Sequence, residues 1–171
     1  DIIKRGNLKY YIFGKGSNIL ADDKGYAGVI ISTVGLNNRI THEGNIIEAG
    51  AGVGLDKISD YAMENSLTGF EFACGIPGSL GGAIVMNAGA YGHEMKDIIV
   101  ETTYIDLETL NLVTINNEQH DYRYRNSIFE NGTVKSIILE TKLKLKKGNP
   151  VEIKTQMDEY ITKRKEKQPL E

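Results

Sequence analysis

Apolar and polar positions along the chain follow a strand period in most segments. Runs of β-branched and aromatic residues predict strands over residues 8–13, 28–33 and 45–49. Between residues 98 and 115 the pattern predicts a hairpin that turns at 106–109. Residues 134–146 alternate regularly, which predicts a strand whose buried face carries Ile137, Leu139, Thr141, Leu143 and Leu145.

Helical spacing is confined to a few segments. Leu55, Ile58, Ala62 and Met63 mark one face of a helix that we expect to end near Leu67. A short helix is predicted across residues 84–86, and the pair at 149–150 supplies an N-cap and a first-turn proline for a last helix. Strands outnumber helices, so the predicted fold class is α+β.

The two ends have the pattern of interrupted helices. Residues 1–6 are typical of the last turn of a helix that stops at Gly6. Near the other end a helix is expected to stop at Pro169, which an apolar Leu170 follows. These patterns predict that the chain is a fragment.

Composition narrows the class of protein. The chain has 171 residues, 20 Lys+Arg, 23 Asp+Glu and 40% hydrophobic residues, enough for one domain or two small ones. A net charge of −3 argues against a nucleic-acid partner, and no run reaches the about 18 apolar residues of a membrane span. The single Cys74 excludes an internal disulfide, and His42, His93 and His120 are too scattered for a metal site. We interpret Cys74 as a small buried residue and the histidines as surface or loop residues, and expect a cytoplasmic monomer.

Glycine is concentrated in the first part of the chain, where 17 of the 19 glycines precede His93. The first glycine segment, Gly14–Leu20, follows a predicted strand, and its successive backbone N–H groups could hold phosphate oxygens. A dinucleotide fingerprint needs a third glycine and a following helix, and this segment has neither. A simple turn at a strand end is the alternative.

The second glycine segment, Gly75–Gly82, leads into residues 86–92 and has few charges. It lacks the Gly-Lys-Ser/Thr ending of a phosphate-binding P-loop and the glycine spacing of a nucleophile elbow. Its backbone amides, the Ser79 hydroxyl and the Asn87 amide suit a flat cofactor that carries phosphate. The alternative is an irregular loop in the core.

A third segment, residues 121–127, alternates aromatic and arginine side chains. Such a pattern can stack on single-stranded nucleic acid, but the net charge argues against that interpretation. An arginine can instead bind a carboxylate or stabilise developing negative charge. Two arginines in surface salt bridges are the alternative.

Taken in order, these segments resemble one family, the UDP-N-acetylenolpyruvoylglucosamine reductases, flavoenzymes of peptidoglycan synthesis. The resemblance covers essentially the whole chain and rests on the motifs GKGSNIL at 14–20, GIPGSLGGA at 75–83, NAGAYG at 87–92, YRNS at 124–127 and KQPLE at 167–171. It implies an FAD-binding fold of the vanillyl-alcohol-oxidase type. It also implies FAD as cofactor, NADPH as hydride donor and a UDP-sugar enolpyruvyl ether as substrate.

The resemblance also implies roles for individual residues. Arg125 would stabilise the carboxylate as hydride arrives, and Tyr91, Tyr124, Ser127 and Lys167 would contact substrate. The residues implied to bind FAD lie in the two glycine segments and just after them: Gly14, Lys15, Gly16, Ser17, Asn18, Leu20, Gly75, Ile76, Pro77, Gly78, Ser79, Gly81, Gly82, Asn87, Ala88 and Gly89.

The implied domain division places an FAD-binding domain at 1–147, without its N-terminal part, and at 148–171 a helix leading into a substrate-binding domain. The family's proton-donor serine and catalytic glutamate have no counterpart in this sequence, so full turnover is not expected of this chain.

Two other classes stay open from the residues. An FAD-dependent oxidase of the same fold would share the phosphate-binding loops, although the YRNS motif favours the reductase. A non-catalytic nucleotide-binding module would keep the glycines but would have no use for Arg125.

Overall fold

The protein, seen in a computed structural model that describes residues 2–167, is built mainly from β-strands. In chain order the strands are β1 (Tyr10–Phe13), β2 (Val29–Ser32), β3 (Ile40–Glu43), β4 (Ile46–Gly50), β5 (Leu67–Thr68), β6 (Gly89–Ala90), β7 (His93–Glu94), β8 (Ile99–Asp106), β9 (Leu112–Asn116), β10 (Ser136–Lys144) and β11 (Lys146–Lys147). The helices are α1 (Ile2–Arg5), α2 (Leu55–Glu64), α3 (Leu80–Val85) and α4 (Pro150–Lys167). Short 3₁₀ helices cover Glu71–Ala73, Met95–Asp97 and Glu118–His120.

The main sheet is antiparallel throughout, in the order β3-β4-β10-β8-β9. Strands β1 and β2 form a separate parallel pair, and β5–β11 and β6–β7 are small antiparallel pairs. The strands predicted over 8–13, 28–33, 45–49 and the hairpin over 98–115 are confirmed. Strand β3 lacks a clear apolar run and was not predicted.

The core lies between the main sheet and α2, as the apolar spacing of that helix predicts. Leu55, Ile58 and Ala62 are buried against sheet residues such as Ile47 and Leu143. The helix ends at Glu64, three residues before the predicted end, and Leu67 is buried instead in β5.

The predicted burial pattern of β10 is wrong in its first half. Ile138 is buried, whereas Ile137 and Leu139 are only half-buried. The pairing with β8 shifts register between Ile138 and Glu140. This β-bulge adds one residue and exchanges the two faces of the strand, so the predicted alternation holds only from Thr141 onward.

The last two helices flank the second glycine segment. Helix α3 begins at Leu80, earlier than the predicted residues 84–86, because Leu80 and Gly81 donate backbone hydrogen bonds to Val53 and Ala51. Helix α4 begins at Pro150 as predicted, and Asn149 accepts a hydrogen bond from the backbone N–H of Val151 at 2.9 Å. Residues 168–171, with the predicted stop at Pro169, lie outside the described residues, and the domain boundary at 147 stays a prediction.

Candidate functional site

The first glycine segment leaves β1 as an open turn. Gly16 has a φ of +73°, and the backbone N–H groups of residues 15–18 donate to no atom of the described residues. The Lys15 ammonium lies 3.5 Å from the Asp56 carboxylate. The segment therefore presents successive N–H donors, as the sequence predicts for an anion site, while the charge of Lys15 is paired with Asp56.

The two glycine segments meet in space at Gly14 and Ser79, which lie 65 residues apart in the chain. A Cβ added at Gly14 would collide with the Ser79 hydroxyl oxygen, and one added at Gly78 would lie 3.8 Å from Ser17 Oγ. A side chain at position 14 would therefore force the Ser79 hydroxyl to move. The two segments predicted separately form one surface.

Ser79 is the unusual polar residue of this surface. It is 1% exposed, and among the described residues its Oγ has no hydrogen-bond partner. The backbone N–H groups of Gly78 and Ser79 also donate to no described atom, although the neighbouring Leu80 N–H bonds to Val53 at 2.8 Å. An unpaired buried hydroxyl costs about 1–3 kcal/mol, so its partner is expected to be a ligand.

Asn87 does not face this surface, in contrast to the sequence-based expectation. It is fully buried, and its Nδ2 donates both hydrogens inside the protein, to Glu94 Oε2 and to the Arg123 carbonyl, each at 3.1 Å. Its backbone N–H bonds to Ile84. The neighbouring Ala88 N–H bonds to Ala83. Neither residue has a donor left for a cofactor.

Arg125 differs from its neighbour Arg123 in the way expected of a functional arginine. Arg123 makes an exposed salt bridge with Asp121 at 3.2 Å, the surface pair that was the alternative interpretation. Arg125 makes no ion pair with any described residue; its Nη2 donates to the Gly89 carbonyl at 3.1 Å, and its backbone has a φ of 53°. Four of its five N–H groups remain available to an anion.

The residues predicted to contact substrate occupy different positions. Tyr124 is 82% exposed beside Arg125, whose guanidinium lies 5.9 Å from the ring centre. Ser127 is fully buried, and its hydroxyl donates to the Val85 carbonyl at 2.7 Å, so it supports α3 from inside. Lys167 is exposed at the last described residue of α4.

Tyr91 connects the second glycine region to α4. Its ring stacks on that of Tyr160 at 4.0 Å, and its hydroxyl donates to the Tyr160 carbonyl at 2.8 Å. The Arg164 guanidinium lies over the Tyr91 ring, 5.4 Å from the ring centre, and its Nε donates a hydrogen bond to the Cys74 carbonyl. This cluster was not anticipated, because nothing in the sequence pairs positions 91 and 160.

Burial shifts the pKa of two titratable groups, His120 and Cys74. His120 is fully buried and bonds to Thr102 Oγ1 at 2.9 Å, so the interpretation as a surface or loop residue is wrong. Burial lowers the pKa of His120 and raises the pKa of the Cys74 thiol, which is buried as predicted. This contact could not be predicted from local sequence, because Thr102 lies 18 residues earlier in the chain.

The described residues contain no group of three or more His, Cys, Asp or Glu side chains arranged to hold a metal ion. Within residues 2–167, no helix combines the length and apolar character needed to cross a membrane.

Comparison with known proteins identifies the class that this fold and surface define. A sequence model described as FAD binding domain matches residues 1–115, two thirds of the chain, and the chain belongs to this FAD binding domain family. The α+β fold class and the expected cofactor, FAD, are thereby confirmed.

Curated relatives agree with the resemblance seen in the motifs. The chain is 44% identical over 169 residues to the UDP-N-acetylenolpyruvoylglucosamine reductase of Caldanaerobacter subterraneus subsp. tengcongensis. It is 46% identical over 171 residues to the protein of that name from Clostridium kluyveri. Each alignment covers 99% of this chain and 55% of the relative, so the chain spans about half the length of the curated relatives it matches.

A solved structure supports the same relationship. The UDP-N-acetylenolpyruvylglucosamine reductase from Thermus caldophilus superimposes with a TM-score of 0.82 at 29% identity, covering 99% of this chain and 60% of that chain. The predicted relationship to these reductases is confirmed.

Proposed function

We propose that the joined glycine segments bind the pyrophosphate of FAD. The buried, unpartnered Ser79 hydroxyl carries this proposal, because a phosphate oxygen within reach would supply its missing acceptor. The unused N–H groups of residues 15–18, 78 and 79 would bind the remaining phosphate oxygens. Lys15 lies at the edge of the same surface in an ion pair with Asp56, and it would have to exchange this partner to bind phosphate.

The glycines at this surface fit a cofactor that lies against the main chain. Gly78 has no atom within 3.8 Å of the position that a Cβ would take, and its φ is not left-handed. The protein's own packing and backbone conformation therefore do not require glycine at 78. Space for a bound group explains its choice.

We propose that the chain is the FAD-binding part of an NADPH-dependent reductase acting on a UDP-sugar enolpyruvyl ether. Bound FAD would supply the hydride-transfer chemistry between NADPH and the enolpyruvyl double bond. The Arg125 guanidinium would bind the carboxylate of that group and stabilise the negative charge that grows there. Its single bond to the Gly89 carbonyl orients it without neutralising it.

The other predicted contacts are proposed with different roles. The exposed ring of Tyr124 offers a stacking surface beside Arg125, and Lys167 offers a cation for the nucleotide phosphates. Ser127 is proposed to support this region through Val85. The division at 147, the monomeric state and the cytoplasmic location stay part of the proposal.

A titration of the chain with FAD tests the cofactor site. Saturable quenching of FAD fluorescence is expected, together with a higher melting temperature. At a ligand concentration 100-fold above the dissociation constant the gain is about 2.7 kcal/mol. For a chain of this size that gain raises the melting temperature by about 5–10 °C. An unchanged melting temperature at saturating FAD would contradict the proposed site.

The arginine pair tests the proposed substrate contact. Arg125→Ala in the FAD-loaded protein is expected to weaken binding of the enolpyruvyl UDP-sugar about 10–100-fold, the loss for a hydrogen bond to a charged group. Arg123→Ala is the matched control, because that side chain makes only an exposed salt bridge. Equal losses in the two variants, measured by calorimetry, would refute the assignment of Arg125.

A further inference from the structure

Glu94 holds the centre of a hydrogen-bond network close to Arg125. Its carboxylate accepts hydrogen bonds from Asn87 Nδ2 at 3.1 Å and Lys96 Nζ at 2.6 Å. It also accepts from the backbone N–H of Asp97 in a reciprocal cap of the 3₁₀ helix at 95–97. The hydrogen bond from Lys96 is the main cause that lowers the pKa of Glu94, so the group is charged at neutral pH.

Asn87 connects this network to the arginine turn, which we define as residues Arg123–Asn126. Two backbone hydrogen bonds of 3.1 and 3.2 Å close that turn. The second Nδ2 hydrogen of Asn87 bonds to the Arg123 carbonyl, and its Oδ1 accepts from the backbone N–H of Lys96. Because Asn87 has no exposed surface, its amide is fixed between the two segments. The turn that carries Arg125 is therefore tied to Glu94 through one side chain.

A second connection reaches the guanidinium itself. Gly89 and Glu94 are opposite each other in the β6–β7 pair, and Gly89 supplies the carbonyl that accepts from Arg125. A Cβ at Gly89 would lie 2.8 Å from Glu94 Cγ, so the two residues are in close contact. The turn of Arg125 is thus linked to the Glu94 carboxylate, and its guanidinium is linked to Glu94 through the backbone pair with Gly89.

The backbone conformation of Arg125 is one that the surrounding residues must hold. Its φ of 53° lies in the left-handed region, which a long L side chain adopts only where its surroundings hold it. Of the residues packed nearby, Glu94 is the acidic group whose charge interacts with Arg125, and Lys96 already occupies one of its oxygens.

We propose that Glu94 is a positioning residue that acts through Asn87 and Gly89 to hold the Arg125 guanidinium in place for the substrate carboxylate. This inference rests on the proposed function for its substrate, but the hold on Arg125 is a property of the protein alone. The competing explanation is that Glu94 only caps the 3₁₀ helix together with Asp97.

The experiment is nuclear magnetic resonance of the full chain labelled with ¹⁵N-arginine, without FAD. The Arg125 signals are identified by their loss in Arg125→Lys, and the rotation rate of the guanidinium about its Nε–Cζ bond is measured. Glu94→Ala removes the acceptor of Asn87, and we expect the rotation to become about tenfold faster. Glu94→Gln keeps an acceptor oxygen and is expected to retain the slow rate.

Asp97→Ala is the matched control, since it breaks the reciprocal cap and leaves the Asn87 bond intact. An unchanged rate in Glu94→Ala would overturn the proposal, and so would an equal acceleration in Asp97→Ala. If Glu94→Ala does not fold, Asn87→Leu takes its place, because it keeps nearly the size of the side chain and removes both donors without adding a buried charge beside Glu94. Faster rotation there supports the proposal, and an unchanged rate overturns it.

An FAD titration of the same samples separates the two hypotheses. Failure of the wild-type chain to bind FAD would contradict the proposed function. The rotation rates of Arg125, which are measured without FAD, would still test the role of Glu94. Normal FAD binding with an unchanged Arg125 rate would contradict only the role of Glu94.

Discussion

Replacing Ser79 with alanine should change stability and FAD affinity in opposite directions. Among the described residues the buried hydroxyl has no hydrogen-bond partner, so in the absence of cofactor it contributes no hydrogen bond to stability. Removing it relieves the desolvation cost of an unpaired polar group. In the presence of FAD the same change removes a donor to phosphate.

Both magnitudes follow from the contacts. Relief of about 1 kcal/mol, the low end for a buried unpaired group, raises the melting temperature of the free protein by about 2–4 °C. Loss of a hydrogen bond to a charged acceptor costs about 1.5–3 kcal/mol. That cost weakens FAD binding by about 10–150-fold.

Calorimetry and fluorescence titration of the two proteins give both numbers. Ser59→Ala is the matched control, because Ser59 is equally buried but its hydroxyl already donates to the Leu55 carbonyl at 3.0 Å. Ser59→Ala should leave FAD affinity unchanged. It should not raise the melting temperature, because it removes no unpaired polar group. A Ser79→Ala protein that is less stable and binds FAD normally would refute the assignment of its hydroxyl to the cofactor.

Three further results are expected. Gly78→Ala should weaken FAD binding. It should leave the free protein as stable as before, or more stable by about 0.4–1 kcal/mol, because a methyl group fits the free site. Gly132→Asn is the control for the titration, since Gly132 lies in open space at a φ of +78°. The melting temperature should fall as pH drops below about 6.5, because unfolded His120 takes up a proton that the buried ring resists. His120→Gln should flatten this part of the profile. The buried Cys74, with its raised pKa, should react with a thiol reagent only as fast as the chain opens, so a fast reaction without denaturant would contradict its burial.

Most strands could be predicted because each is a local run of residues that suits a pleated sheet. The exceptions have a physical cause that the sequence does not display. The bulge in β10 depends on the pairing with β8, and one extra residue there moved Ile138 into the core in place of Ile137 and Leu139. The parallel pairing of β1 with β2 is likewise a property of two distant segments.

For the candidate site, local chemistry could be predicted and spatial relations could not. The glycines at 14 and 78 indicate close approach of something to the main chain, but not that Gly14 approaches Ser79. An asparagine in a glycine-rich segment can either bind a ligand or make buried hydrogen bonds within the protein. Only the contacts of Asn87 with Glu94 and Arg123 decide between these roles.

The two parts of the surface therefore differ in how completely the protein satisfies its own polar groups. At Gly14–Asn18 and Gly78–Ser79 the donors have no described acceptor, which is expected where binding energy is gained only when a ligand arrives. Around Asn87 and Glu94 both Nδ2 hydrogens of Asn87 have an acceptor, and we propose that this network holds the exposed Arg125 in a backbone conformation that it would otherwise avoid. In the proposed function these two features meet different requirements of one reaction: the anion-binding surface would hold the cofactor, and the rigid cation would already be in place when charge develops on the substrate.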